Sequence, residues 1–381
     1  MRKVFINIIA FLFLYGCGKK ENTALVTGVD DQFSVKLDTV LIQPSRSSQV
    51  GRFEWTGSEV LYIDHLYGFI ESYSPEGNFI KRELRILQGP EELASISSVS
   101  AHEYGFTVKG EGWTFYEHDK EWKFQRKYTV YADAAYEVDQ LIQNPVASST
   151  MMYELQHYND HFPVSGDYFY AKVDCEHPTF NAFINPSFYK EAFLVAKISR
   201  RDGKMEELLY HFPETYQQYR FVPFHIFFDF HIGSSGKHWL TFEIDPTIYV
   251  YDASKSLVGT FGVPGVNMRT SYPETRTLDV AFDTDLYRQS RFKDGFYKDI
   301  FVDEEANLVF RTYRTGTNNQ TIGEESENPL RLQIYEAEQL VSDIAVPVKF
   351  RLIGKVADRR YIADGFYDET AEKQGFYVLS F

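Results

Sequence analysis

The chain has 381 residues, 54 acidic side chains against 39 basic ones, and a formal net charge of −15. That balance opposes nucleic-acid binding, which relies on Lys and Arg to neutralise phosphates, and opposes broad contact with an anionic lipid surface. Aromatic residues reach 17%, with 33 Phe and 27 Tyr, which suits half-buried pleated surfaces and excludes a largely disordered chain.

Met1-Arg2-Lys3 is basic, Val4 to Tyr15 is apolar apart from Asn7, and Gly16-Cys17 leads into polar Gly18-Lys19-Lys20-Glu21. A basic start, a short apolar run and a small residue before the cut describe a secretory leader. The run is shorter than the roughly 20 residues a membrane-crossing helix needs. Leu14-Tyr15-Gly16-Cys17 resembles the lipobox of bacterial lipoproteins, with Tyr15 departing from its usual pattern. The resemblance implies removal of residues 1–16, a lipid on Cys17 and a place in the cell envelope as an outer-membrane lipoprotein. Residues 17–31 read as a polar tether and 32–381 as one domain. Cys175 is then the one remaining thiol and reads as a buried small apolar residue.

From residue 33 onward apolar and polar residues alternate in short runs, the period of a half-buried strand. Phe69–Tyr73 and Phe79–Leu84 flank Ser74-Pro75-Glu76-Gly77-Asn78, where Pro presets one turn dihedral and Gly supplies another. Arg201-Asp202-Gly203-Lys204 does the same between Phe193–Ser199 and Met205–Tyr210. The runs group into units at about 50–86, 96–130, 163–212, 222–262, 296–346 and 348–381. The last unit is short, and the early strand at 33–42 completes it, which closes a ring without exposed edges. An all-β propeller of six blades is expected, seven being the other count the spacing allows and a pair of β-sandwiches the other architecture. Ala132–Gln143 and Ser148–Tyr158 read as helices, forming an insertion around 132–158 between the second and third units.

Ile248-Tyr249-Val250-Tyr251-Asp252 followed by Leu257–Gly262 resembles the blade phrase of six-bladed NHL/TolB-type propellers, and Phe69–Tyr73 with Gly77–Lys81 repeats it. With the lipobox, the chain is similar to an uncharacterised family of Bacteroidetes lipoproteins built on such a propeller. The family implies a fold but no catalytic residues.

Several side-chain groups could carry chemistry. His225, Asp229 and His231 share one face if 224–231 is a continuous strand, and could line a channel and hold a metal there, or else serve as hydrogen-bonding groups at its mouth. Asp174-Cys175-Glu176-His177 and the set His157, Asp160, His161 are weaker metal candidates. Asp283-Thr284-Asp285 begins like a calcium loop but lacks its turn Gly and third acid. Trp55, Trp113, Trp122 and Trp239 either pack between blades or stack on sugar rings, Trp113 and Trp239 being the ligand-binding candidates. No Gly-x-Ser-x-Gly elbow and no phosphate loop occurs. The sequence therefore reads as a monomeric envelope binding protein without a cofactor, presenting a propeller to a protein, peptide or glycan partner. Alternatives are a metal-dependent hydrolase or lactonase with its site in the channel, and an assembly role in an envelope complex.

Overall fold

The computed structural model describes residues 34–43, 47–86, 93–156, 161–175, 177–219, 221–275, 277–318 and 323–381. The leader, Cys17 and the tether lie outside the described residues. After β1 (Lys36–Leu41), blade 1 holds β2 (Gly51–Trp55), β3 (Val60–Asp64), β4 (Phe69–Tyr73) and β5 (Phe79–Arg85). Blade 2 holds β6 (Ser98–His102), β7 (Gly105–Lys109), β8 (Thr114–His118) and β9 (Phe124–Thr129). Blade 3 has β10 (Glu154–Leu155), β11 (Val164–Ser165), β12 (Tyr168–Asp174), β13 (Val195–Ser199) and β14 (Met205–Leu209). Blade 4 runs through β15 (Phe228–Ile232), β16 (His238–Phe242), β17 (Asp245–Tyr251) and β18 (Leu257–Phe261). Blade 5 runs through β19 (Phe296–Asp303), β20 (Leu308–Arg314), β21 (Leu330–Glu336) and β22 (Gln339–Val346). Blade 6 is β23 (Arg351–Ala357), β24 (Arg360–Asp368) and β25 (Lys373–Ser380), with β1 as its outermost strand.

Every blade is an antiparallel meander, so the protein is a six-bladed β-propeller. Ring closure is as expected: β1 pairs with β25 from Lys36↔Ser380 to Leu41↔Gly375. Joining both ends of the domain in one sheet protects that blade's edge and ties the first strand to the last.

Blade 3 departs from the expectation. Its innermost strand begins at Glu154, within the segment read as a helix, and is interrupted: Leu155 faces Val173, yet Val164 faces Phe169. Gln156 N still donates to Lys172 O and Tyr170 N to Pro163 O, so the two described stretches meet β12 on either side of Ala171. Of the expected insertion helices, one survives as α1 (Val138–Gln143); 150–152 is a single 3-10 turn capped by Ser149 Oγ.

In a four-stranded meander, the first-to-second and third-to-fourth connections lie at one end, and the second-to-third and blade-to-blade connections at the other. All helical segments among the described residues fall in the second class. They are α1, α2 (Phe188–Glu191), α3 (Glu214–Gln218), α4 (Thr284–Lys293) and the short 3-10 turns at 150–152, 223–225, 278–282 and 325–327. The propeller thus has a helical face and a bare face. The helical segments touch one another across blades 3 to 5: His177 Nε2 lies 3.0 Å from Leu141 O of α1, Val222 N donates to Tyr189 OH of α2, and α4 meets the turns at 223–225 and 325–327.

Blades 3 and 4 are joined by a buried neutral histidine. His238 is 1% exposed, packs edge-on against Tyr170 at 5.0 Å, and sits 2.7 Å from Lys255 Nζ. Burial, with Lys255 and His231 adding to it, depresses its pKa to about 3. The unfolded chain takes up this proton near pH 6.5 and the folded chain does not, so its contribution is present above 6.5 and is lost as pH falls. By pH 5 the loss is about 2 kcal/mol. Urea unfolding midpoints at pH 7 and pH 5 should therefore differ less in His238→Phe than in the wild type; equal differences would refute this reading.

Candidate functional site

Channel-lining chemistry comes from the innermost strands. Asp229 on β15 accepts from Lys172 Nζ of blade 3 at 2.8 Å and from Ile300 N of blade 5 at 2.9 Å, so one carboxylate ties three blades together. Burial would raise its pKa, but the Lys172 and His161 charges and these hydrogen bonds hold it below the ordinary range. His161 follows the interruption in blade 3. Burial lowers its pKa, while the charges of Asp229 and of Glu54 on β2 act against that. Glu54 pairs with Arg351 of β23 at 3.1 Å and with Arg52 at 3.2 Å, and these cations outweigh its burial and lower its pKa. Asp364, 3.4 Å from Arg351, is pushed upward by burial. Residues of blades 1, 3, 4 and 6 thus act on one another electrostatically across the axis.

Two of the three residues expected on one strand face share such a face. Asp229 and His231 are both on β15, and His231 packs edge-on against Phe301 at 5.3 Å. Burial and His161 lower the His231 pKa to about 4, which keeps it neutral at pH 7. His225 does not join them. Pro223 opens a 3-10 turn rather than a strand, and β15 begins only at Phe228. His225 is 1% exposed beneath α4, its Nε2 2.8 Å from Ser290 Oγ and 3.7 Å from Asp294, its Nδ1 3.6 Å from Glu243. The set proposed from spacing therefore does not converge, and among the described residues no three His, Cys, Asp or Glu side chains are placed to hold a metal ion.

The other sequence candidates are dispersed as well. His177 Nδ1 accepts from Thr179 N and Phe180 N, Asp174 accepts from Gln156 Nε2, and Cys175 is buried with its thiol 3.6 Å from Phe180 O; Glu176 lies outside the described residues. His157 and Asp160 also lie outside the described residues, and His161 is not helical. Asp283 is the N-cap of α4, accepting from Leu286 N, and not the start of a calcium loop. Trp113 sits half-buried in the second-to-third connection of blade 2, against the core. Trp239 is 7% exposed and lines a groove of about 130 Å³ with Lys237, Glu304 and Asn307, residues of the bare face. The two Trp residues thus belong to opposite faces. Trp122 stacks on Phe106 at 3.8 Å, and Trp55 abuts Gly354 of β23.

On the helical face, a cleft of about 280 Å³ opens between blades 3, 4 and 5 under α4. Blade 3 supplies Gln156 and Lys172; blade 4 and the residue before it supply Phe227, Phe228, Asp229 and Glu243. The remaining wall is Tyr287 and Arg291 of α4, with Tyr297, Lys298 and Asp299 at the start of β19. Arg291 fastens this roof. Its Nη1 donates to both Glu243 oxygens at 2.7 Å and to Phe224 O at 3.2 Å, and its Nε donates to Glu325 at 3.1 Å. Its guanidinium lies 3.6 Å from the Phe296 ring centre. Sequence reasoning named Asp229 but missed the rest of this cleft, because its members lie between residues 156 and 299 and meet only where blades 3, 4 and 5 pack side by side.

No family model matches the sequence, and no curated protein matches it. The fold is similar to that of a duf4221 family member from Bacteroides vulgatus, with a TM-score of 0.63 at 11% identity, covering 91% of this chain and 97% of that one. A Bacteroides fragilis protein proposed to be exported gives a TM-score of 0.49 at 10% identity, over 93% and 97% of the two chains. A streptogramin B lyase gives 0.43 at 9%, over 91% and 97%. At these identities the likenesses speak for fold, and only the first of the three is near enough to do so. The six-bladed propeller of this chain is thus similar in fold to the Bacteroides vulgatus duf4221 family member.

Proposed function

We propose that this protein is a lipid-anchored binding protein of the cell envelope, whose helical face receives a ligand or partner in the cleft beneath α4. One observation carries the reading: every helical segment described, and the charged, aromatic-walled cleft, occupy the same face. Connections on one face of a rigid scaffold are where binding surfaces are built, because they vary without disturbing the core. The chain enters β1 at Lys36, beside Ser380, at the end of blade 6 away from the 369–372 connection. No helix of the described residues is long and apolar enough to cross a membrane.

The metal-dependent hydrolase reading has lost its main support, since His225 is committed to Ser290 beneath α4. The anchor is tested by Cys17→Ser. The wild type is expected in the membrane fraction and the variant in the soluble fraction; a variant still sedimenting with membranes refutes the lipid anchor. Two or more acyl chains hold a protein stably, at about 0.8 kcal/mol per buried methylene, so the shift should be nearly complete.

A further inference from the structure

The cleft's hydrogen-bonding capacity is unevenly used. Five of the six carboxylate oxygens lining it already accept a hydrogen bond: both of Asp229, both of Glu243, and Oδ2 of Asp299 from Thr312. The donors are less committed. Lys298 makes no hydrogen bond or ion pair among the described residues, and Arg291 Nη2 makes no hydrogen bond there, although Nη1 and Nε are fully engaged. Lys298 is half-buried, and its charge together with that of Arg291 lowers the Glu325 pKa, so the carboxylate it acts on is one that Arg291 Nε already holds. A polar ligand gains most where it meets unsatisfied protein groups, and here those groups are cationic donors. The adjoining wall is aromatic: Phe227 is half-buried, and Tyr287, 37% exposed, stands on α4. Such rings give a flat body a face to stack on.

We infer that the cleft binds a small ring-bearing carboxylate, an acidic monosaccharide unit being the type, with its carboxylate on Lys298 and Arg291 Nη2 and its ring against Phe227 and Tyr287. The volume of about 280 Å³ is at the small end for ligand pockets, which limits the occupant to about one sugar ring. This inference rests on the binding-protein reading and names the ligand class that the same cleft takes. Phosphate could satisfy the cations but has no ring to lay on the aromatic wall.

The test is isothermal titration of the full-length chain, solubilised in detergent, with glucuronate, glucose and inorganic phosphate, repeated with Lys298→Gln. Lys298 makes no side-chain hydrogen bond or close ion pair among the described residues, and Arg291 still faces Glu325 in the variant, so Lys298→Gln should fold as the wild type does. Glucuronate is expected to bind most tightly, and Lys298→Gln to weaken it about tenfold while leaving glucose unchanged. Equal affinity for glucuronate and glucose, an unaltered glucuronate affinity in Lys298→Gln, or phosphate binding as tightly as glucuronate would each overturn the inference. Absence of binding by all three probes overturns the ligand class without touching the anchor. A Cys17→Ser protein that stays on the membrane damages the anchored reading without touching the cleft.

Discussion

Replacing Arg291 by Met is expected to destabilise the protein by about 4 kcal/mol, measured as the free energy of urea unfolding. The guanidinium and Glu243 are both almost fully buried, at 5% and 3% exposure. Their pairing offsets the cost of taking each charge out of water, so removing one partner strands the other. Arg291→Met also removes the donor to Phe224 O and to Glu325. Adding Glu243→Leu to Arg291→Met should recover a large part of the loss, because no charge is then left buried alone. If the double variant is as unstable as the single one, unpaired charge is not the cause and packing against Phe296 is. α4 should loosen first, since Arg291 is its main polar tie to the blades, and hydrogen exchange at 286–293 should quicken more than exchange in β20.

The sequence made the ring legible and the cleft illegible, for different physical reasons. Alternation and turn chemistry are local, so a run such as Thr247–Tyr251 with its Asp252–Ser256 turn declares itself within ten residues. The closing strand was legible too, because an unpartnered strand at 33–42 and an incomplete last unit call for each other. α4 was not. Its sequence, Thr284–Lys293, has few apolar positions, and its cap Asp283 sits among acids that suggest a metal loop. The first strand of blade 3 reads as helix because 148–158 contains two Met, two Tyr and a Leu at spacings that fit a helix face. His225 reads as a strand residue because apolar residues recur at every second position from Phe224, whereas Pro223 favours the 3-10 turn that diverts it. Most cleft residues meet only where neighbouring blades pack side by side, and no periodicity within the chain reports on that.

The ring's closure predicts a second large effect, at Gly354. This residue lies on β23, where blade 6 meets blade 1, and a Cβ built there would stand 2.0 Å from Cδ1 of Trp55, 2.3 Å from its Cγ and 2.6 Å from its Cβ. Real Cβ contacts do not come so near, so Gly354→Ala forces the two blades apart. A cost of about 3 kcal/mol is expected, typical of overpacking in a core that cannot yield locally. The geometry also says which second change helps. Trp55→Ala removes the two nearest atoms but leaves Cβ at 2.6 Å, so it should relieve Gly354→Ala only in part, whereas Trp55→Gly removes all three and should relieve it further. In double-mutant cycles of urea unfolding, the coupling energy with Gly354→Ala should be smaller for Trp55→Ala than for Trp55→Gly. Equal couplings would mean that the indole, not the approach of the two backbones, sets the spacing of the closing blades. A Gly354→Ala protein as stable as the wild type would mean that the first and last blades are not pressed together as this fold requires.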